Sequence, residues 1–334
     1  MNRLQMDPLT HTLTGLALSR AGLNRLTAYA TPILLLAANA PDADIVLAPF
    51  GATTYLHYHR HITHALIAIP VMAALSVFAV RLFARKKPIH LGWAFLVALF
   101  GAASHPLLDW WNVYGIRLLL PFSGDWLRLD IVSLPDLWVW AILLIAFVAP
   151  ALSKLVSGEI GAKASSGRGA AITALVLLTL FVFGRWVLHG RAVAMLDARL
   201  YEGAAPVRVA AFPRIANPFG WTGVVDGGRF YGIYPVNVLG EFDPAAGEVL
   251  FKTVPGEREQ AAMEAAKRTE AFRVFLSFSS FPMWRFSPSA DHENGVRVEC
   301  FDLRFGTPEQ PVFVATAIVD GAGRVDRAWF EFRR

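Results

Sequence analysis

His57-Tyr-His-Arg-His-Ile-Thr-His64 packs four of the chain's nine histidines into eight residues, and an uncharged run from Ala65 to Val80 follows at once. A dense set of ligand-type side chains at the edge of a membrane-length apolar run points to a helical membrane protein with a polar site at one end. Histidine is the commonest transition-metal ligand near neutral pH, because its imidazole is then largely uncharged. In one continuous helix His57, His61 and His64 would share a face and His59 would point elsewhere. The plainer alternative is a polar or pH-sensitive cluster at a membrane edge. What decides between them is whether the chain's other polar residues converge on the same place.

Composition supports the membrane. Of 334 residues, 55% are hydrophobic and 17% charged, with a mean hydropathy of +0.44, too apolar for an ordinary soluble domain. The long uncharged runs lie in residues 1–191. Residues 192–334 carry 16 basic and 18 acidic side chains, net −2, against a net +7 before them. The basic excess therefore sits in the membrane half, where it reports topology and gives no argument for nucleic acid. The single cysteine, Cys300, excludes an intrachain disulfide and a cysteine zinc site. It sits in an alternating stretch and reads as a strand residue. Asp7, Pro8 and His11 interrupt any apolar core of a cleavable leader, so residue 1 reads as part of the mature protein.

In chain order, Asp7 caps a short helix over 8–20 that starts at Pro8. A second apolar run, Leu26 to Pro41, climbs back to Asp42 and Asp44. Neither run reaches the roughly 20 residues a full crossing needs, so they read as a helical hairpin inside the bundle. Four spans follow, at 65–80, 91–108, 137–153 and 169–184. Arg81, Arg85, Lys86 and Lys87 lie between the first two; Lys154, Lys163 and Arg168 lie between the last two, in a Ser/Gly/Ala/Lys linker over 152–168. The positive-inside rule puts both connections in the cytoplasm. Every acid before residue 192 except Glu159 then falls on the other side, with the histidine cluster, His105 and Asp109. Arg185, His189 and Arg191 mark the outer interface. The second unit reads as an α+β domain with strands at 207–212, 229–239, 249–254, 273–281, 296–305, 312–319 and 325–332, and one helix from Gly256 to Ala271.

Ser104-His-Pro-Leu-Leu-Asp109 adds a second ligand pair, with His105 and Asp109 stacked at i, i+4 on a helix if Pro106 does not break it. Taken singly, His11 reads as a packed histidine and Asp42/Asp44 as a helix-ending turn. Jointly, His11, Asp42, Asp44, His59, His64, His105 and Asp109 all fall at one membrane face, where ionisable groups are costly and usually functional. Nitrogen and carboxylate ligands without sulfur suit zinc, manganese or iron, and seven candidates exceed what one ion needs. Two or more divalent ions would clamp a phosphoester and activate a water, with Asp42 or Asp109 bridging. Arg60 is either a phosphate contact or a membrane anchor. Asp136 caps the helix starting at Leu137; Trp110, Trp111, Trp126, Trp138 and Trp140 form an interfacial belt.

Asp7-Pro-x-Thr-His11, Pro41-Asp-x-Asp44, His59-Arg60-x-x-Thr-His64 and Ser104-His-x-x-x-Asp109 resemble the YdjM-like family of bacterial inner-membrane, metal-dependent hydrolases over residues 6–150. They are more distantly similar to the zinc-dependent phospholipase C and P1 nuclease group. The resemblance implies metal-dependent hydrolysis and makes His59 and His64, rather than His57 and His61, the ligands, with irregular backbone over 57–60. The chain departs from the family's commoner pattern in carrying His61 and in the unit after residue 192.

The expectation is a mainly α, polytopic helical membrane bundle over 1–191 with an extracytoplasmic α+β domain over 192–334. Its function would be hydrolysis of a phosphoester, on a phospholipid or lipid-linked phosphate at the outer face of the inner membrane, with Asp42, Arg60 and Asp109 catalytic. A metal or small-solute transporter is the first alternative, although ligands on a permeation path belong near mid-membrane. A metal-stabilised scaffold is the second.

Overall fold

The computed structural model describes residues 7–84, 86–159 and 167–333; Arg85, Lys163 and the centre of the expected linker lie outside these. Asp7 accepts the Thr10 amide and caps α1 (Pro8–Ala21). Gly22, at φ +142, then turns the chain into α2 (Ala30–Asn39), a conformation only glycine adopts cheaply. A 2.7 Å bond between the Ser19 and Thr31 hydroxyls ties the two arms of this hairpin. The second arm is longer than its sequence suggested. A 3-10 helix over Ala40–Phe50 continues α2 and makes Ala30–Phe50 a 21-residue apolar candidate span. Pro41 and Pro49 lack the amides that an α-helix would use, which favours the tighter winding.

α3 (Ala52–Tyr58) stops at His59, whose backbone is extended, and Arg60 sits at φ +55 before a 3-10 turn over Ile62–His64. The irregular backbone expected around 57–60 is present. α4 (Ile69–Phe83), α5 (Leu91–Trp111), α6 (Leu137–Glu159) and α7 (Arg168–Asp197) follow. Pro106 does not break α5, so His105 and Asp109 keep their shared face. Asp136 caps α6 by accepting the amides of Trp138 and Val139. α6 takes in the first part of the expected linker. Lipid-facing side chains such as Leu75, Phe78, Leu180 and Phe183 are exposed, as membrane helices require.

The helices pack through small residues. A Cβ on Gly15 would press on Ala38, and one on Gly101 would stand 3.0 Å from both the Ala37 Cβ and the Leu34 carbonyl. Glycine thus lets α1 and α5 close on α2 from two sides, the usual route to tight helix contact in lipid. At one end of the bundle α1, α4 and α6 begin while α2, α5 and α7 finish. All the candidate ligands are at that end, and Arg20, Arg25, Arg81, Lys86, Lys87, Lys154 and Arg168 are at the other.

α7 runs past the expected boundary at 191/192 to Asp197. At 1.5 Å per residue its 30 residues span about 45 Å, against a hydrocarbon core of about 30 Å, so its last turns stand clear of the bilayer. Arg185 does not end the helix. It is buried, donates to the carbonyls of Ile131 and Pro218, and lies 4.1 Å over the Trp221 ring. The outer unit has two four-stranded antiparallel meanders, each in consecutive order. β1 (Arg208–Pro213), β2 (Gly220–Asp226), β3 (Phe230–Asn237) and β4 (Glu248–Phe251) pack on Ala192 and Leu196 of α7. α8 (Glu257–Lys267) and α9 (Glu270–Phe278) precede β5 (Pro282–Pro288), β6 (Val296–Asp302), β7 (Phe313–Val319) and β8 (Val325–Phe332).

Two expectations fail here. Residues 273–281 were expected as a strand and instead lie mostly in α9, because Thr269 caps a new helix and Phe272, Phe275 and Phe278 bury one face of it. The strands over 220–226 and 282–288 were not anticipated. Cys300 is buried in β6, as expected. Leu56 of α3 and Tyr114 enter the same core as α9 and β6–β8, which seats the second sheet on the ligand-bearing end.

Candidate metal centre

The glycine contact that brings α5 onto α2 also sets the site. His105 lies one turn after Gly101, and its Nδ1 meets the Ala38 carbonyl at 2.7 Å. A carbonyl only accepts, so Nδ1 carries a proton and Nε2 is the nitrogen left to ligate. That Nε2 stands 3.1 Å from His64 Nε2, 3.5 Å from Asp42 Oδ1 and 3.3 Å from Asp109 Oδ2. His64 Nε2 is 3.5 Å from each of the same carboxylates. His11 stacks on the His105 ring at 3.7 Å and places Nε2 3.6 Å from Asp109 Oδ1.

Two groups therefore have ligand atoms mutually within 4.8 Å: His11, His105 and Asp109, and Asp42, His64 and His105. Five of the seven expected ligands are in them, and all five are buried. Lone pairs facing carboxylate oxygens repel unless a cation lies between them. Ligands about 2.1 Å from a tetrahedral zinc stand roughly 3.4 Å from one another, close to these separations. His11 Nδ1, Asp42 Oδ2 and Asp109 Oδ2 are buried without a hydrogen-bond partner, a costly condition that ligation relieves. The donor set fits a divalent metal. With Nδ1 committed to Ala38, His105 ligates one ion only, so a second ion would depend on a bridging carboxylate.

Asp44 and His59 stand just outside these groups. Asp44 accepts the Arg60 amide at 2.9 Å, while both its oxygens are 3.2 Å from His59 Nδ1. This carboxylate–histidine contact is the kind that orients a ligating ring. His57 and His61 are half-exposed and outside the cluster.

Arg60 does not take the anchoring role. It is 2% exposed, too buried to anchor in the headgroups. Its Nη2 is 2.7 Å from Asp109 Oδ1, and its Nη1 donates to Asn112 Oδ1 and the Gly115 carbonyl. The positive φ aims the guanidinium inward, where its Nη groups hold Asp109 and its supports, and its Nε is buried without a partner. Asn112 was missed. Its Oδ1 also accepts the Tyr114 amide, and its Nδ2 donates to Asp109 at 3.3 Å. The available signal was an Asn-x-x-Gly turn directly after a ligand-bearing helix. A cavity of about 20 Å³ borders His11, Asp109, Asn112 and Ser133, room for about one water.

The sequence profile described as "YdjM inner membrane protein" matches residues 6–192, more than half the chain. The chain belongs to the YdjM inner membrane protein family. All seven ligand candidates lie inside the YdjM match, and the five helices long and apolar enough to cross a membrane, among the described residues, agree with it. The profile described as "YfhP C-terminal alpha/beta plait domain" matches residues 261–331, which hold most of α8, all of α9 and the second sheet. "Uncharacterized protein YfhP" of Bacillus subtilis (strain 168) is 24% identical over 322 residues, covering 93% of this chain and 90% of the relative. The YdjM-type membrane half and the outer unit are thus shared in one chain by this relative. No solved structure matches, and the expected likeness to the phospholipase C and P1 nuclease group finds no support in these comparisons.

Proposed function

We propose that this YdjM-family chain is a metal-dependent hydrolase of a lipid phosphoester, binding two divalent ions, with zinc favoured over manganese or iron. One observation carries the reading. The Nε2 atoms of His64 and His105 and the oxygens of Asp42 and Asp109 converge at ligand spacing, with one imidazole tautomer fixed and buried acceptors left unpaired. His64, His105 and Asp42 would hold one ion and His11 the other, with Asp109 in reach of both. Bound ions supply Lewis acidity toward a phosphoryl oxygen and lower the pKa of a water. The protein's part is to hold Asp109 with Arg60 and Asn112, orient His59 with Asp44, and leave room for one water beside His11. A site at the end of the spans is level with headgroups, which favours an amphiphile over a soluble nucleotide.

Full-length chain in lipid nanodiscs is expected to release phosphate or a phosphorylated headgroup from some lipid phosphoester. Chelator should stop the release and zinc or manganese restore it; His64→Ala or His105→Ala should slow it by about a thousandfold or more. No turnover across a broad lipid panel, together with ion flux into sealed liposomes, would replace this reading with a transporter.

By the positive-inside rule the basic connections favour an extracytoplasmic ligand-bearing end, with the outer unit beside it. With Cys300→Ser as background, Ala290→Cys should react with an impermeant thiol reagent in intact cells, and Lys87→Cys should not. The reverse pattern would turn the site toward the cytoplasm.

A further inference from the structure

Arg117 is the guanidinium that the metal cluster leaves unused. Of the other buried arginines at this end, Arg60 has Asp109 and Arg185 has the carbonyls of Ile131 and Pro218, while the partly buried Arg128 and Arg304 have Asp130 and Asp302. Arg117 is 7% exposed and has no carboxylate within ion-pair distance among the described residues. Its Nη2 reaches only the Ser277 hydroxyl, at 3.3 Å, and its Nε is buried without an acceptor. Trp126, whose ring lies 4.8 Å under this guanidinium, also has a buried Nε1 donor with no acceptor. An unpaired buried cation next to an orphaned N–H is expensive unless an anion completes it.

His57 and His61 form the rim. Their rings are 5.9 Å apart and inclined at 27°. The Arg117 amide donates to the Arg60 carbonyl at 3.3 Å, which holds the turn that carries His61 against the Arg117 segment. Glu270 is the acid felt at His57, and Arg117 and His57 are the charged or titratable groups felt at His61. Depth is fixed by the chain itself. The Leu66 amide bonds the Leu118 carbonyl at 3.0 Å, and Leu66 opens the span Leu66–Phe83. Tyr58, Ile62, Leu66 and Ile67 are exposed beside it, a surface suited to an acyl chain.

We infer that Arg117, His57 and His61 form an anion subsite that takes the phosphate group of a membrane lipid at headgroup level. The guanidinium fork suits paired phosphate oxygens, and imidazole N–H groups complete the set. This subsite stands whether or not the metal cluster hydrolyses anything.

Native mass spectrometry of the full chain in detergent, with short-chain phosphatidate, phosphatidylcholine of the same chain length, and inorganic phosphate as probes, tests it. Wild-type protein should retain one phosphatidate in preference to phosphatidylcholine. Arg117→Gln should lower retention about tenfold or more while leaving metal content intact, and Arg117→Lys should restore only part of it. His57→Ala and His61→Ala should each weaken it severalfold, whereas Asp42→Asn should not change it. Unchanged retention in Arg117→Gln, or loss in Asp42→Asn alone, would overturn the subsite. Full displacement of the lipid by millimolar inorganic phosphate would overturn the lipid source and leave a site for free phosphate.

Discussion

Asp109→Asn is expected to empty the metal centre and destabilise the bundle together. Asp109 is the one carboxylate in reach of His11, His64, His105 and Arg60. An amide puts a neutral group, one end of it a donor, where the ring nitrogens of His64 and His105 converge, so bound metal measured by mass spectrometry should fall about tenfold or more. It also leaves Arg60 buried without its anion. Removing one partner of a buried pair typically costs about 3–5 kcal/mol, which a lower unfolding temperature in chelator would register. The two effects can be separated. Joining Arg60→Met to Asp109→Leu removes both charges and should return much of the stability without returning the metal. Full metal occupancy in Asp109→Asn would refute the assignment of this carboxylate.

The second large effect is expected at Arg304. Its side chain and that of Asp302 are both fully buried. The guanidinium donates to Asp302 Oδ2, to the Phe278 carbonyl and to the Val113 carbonyl, while Asp302 also accepts the Ser280 amide. Val113 lies between Asn112, which supports Asp109, and Tyr114, which packs at tilted and edge-on angles among Phe278, Phe305 and Phe313. Arg304→Met strands Asp302 and should cost about 3–5 kcal/mol. The outer unit should then be cut by protease far faster, and metal should leave the centre sooner. Cleavage and metal release at wild-type rates would show that this pair does not fasten the unit to the site.

Much of the centre was legible because its residues are anomalous where they stand. Histidine and aspartate at the ends of apolar runs have no packing reason to recur, and the i, i+4 spacing of His105 and Asp109 survives a proline. Arg60 was not legible. Its direction depends on a positive φ and on Asn112, 52 residues away, neither of which a local pattern carries. The length of α7 was misjudged at Arg185, since a cation inside an apolar run suggests an interface. Here the cation bonds carbonyls from two other segments and the helix goes on. α9 was misjudged for a different reason. Arg273–Phe281 alternates like a strand and also repeats like a helix, and the Thr269 cap decides between them.

A helix that passes unbroken from the bilayer into the first sheet leaves the outer unit no hinge at its root. α7 carries Ala192 and Leu196 into the sheet core, while Arg185 fastens the loop around Pro218 one layer below. The second sheet is held by Tyr114 and Leu56 on the ligand-bearing end itself. The outer unit cannot swing aside as a lid. A lipid substrate of the kind proposed would have to slide in from the bilayer, past the short α1 and the 131–136 loop that wall the small cavity, and gating would then fall to those two segments and to the lipids pressed against them.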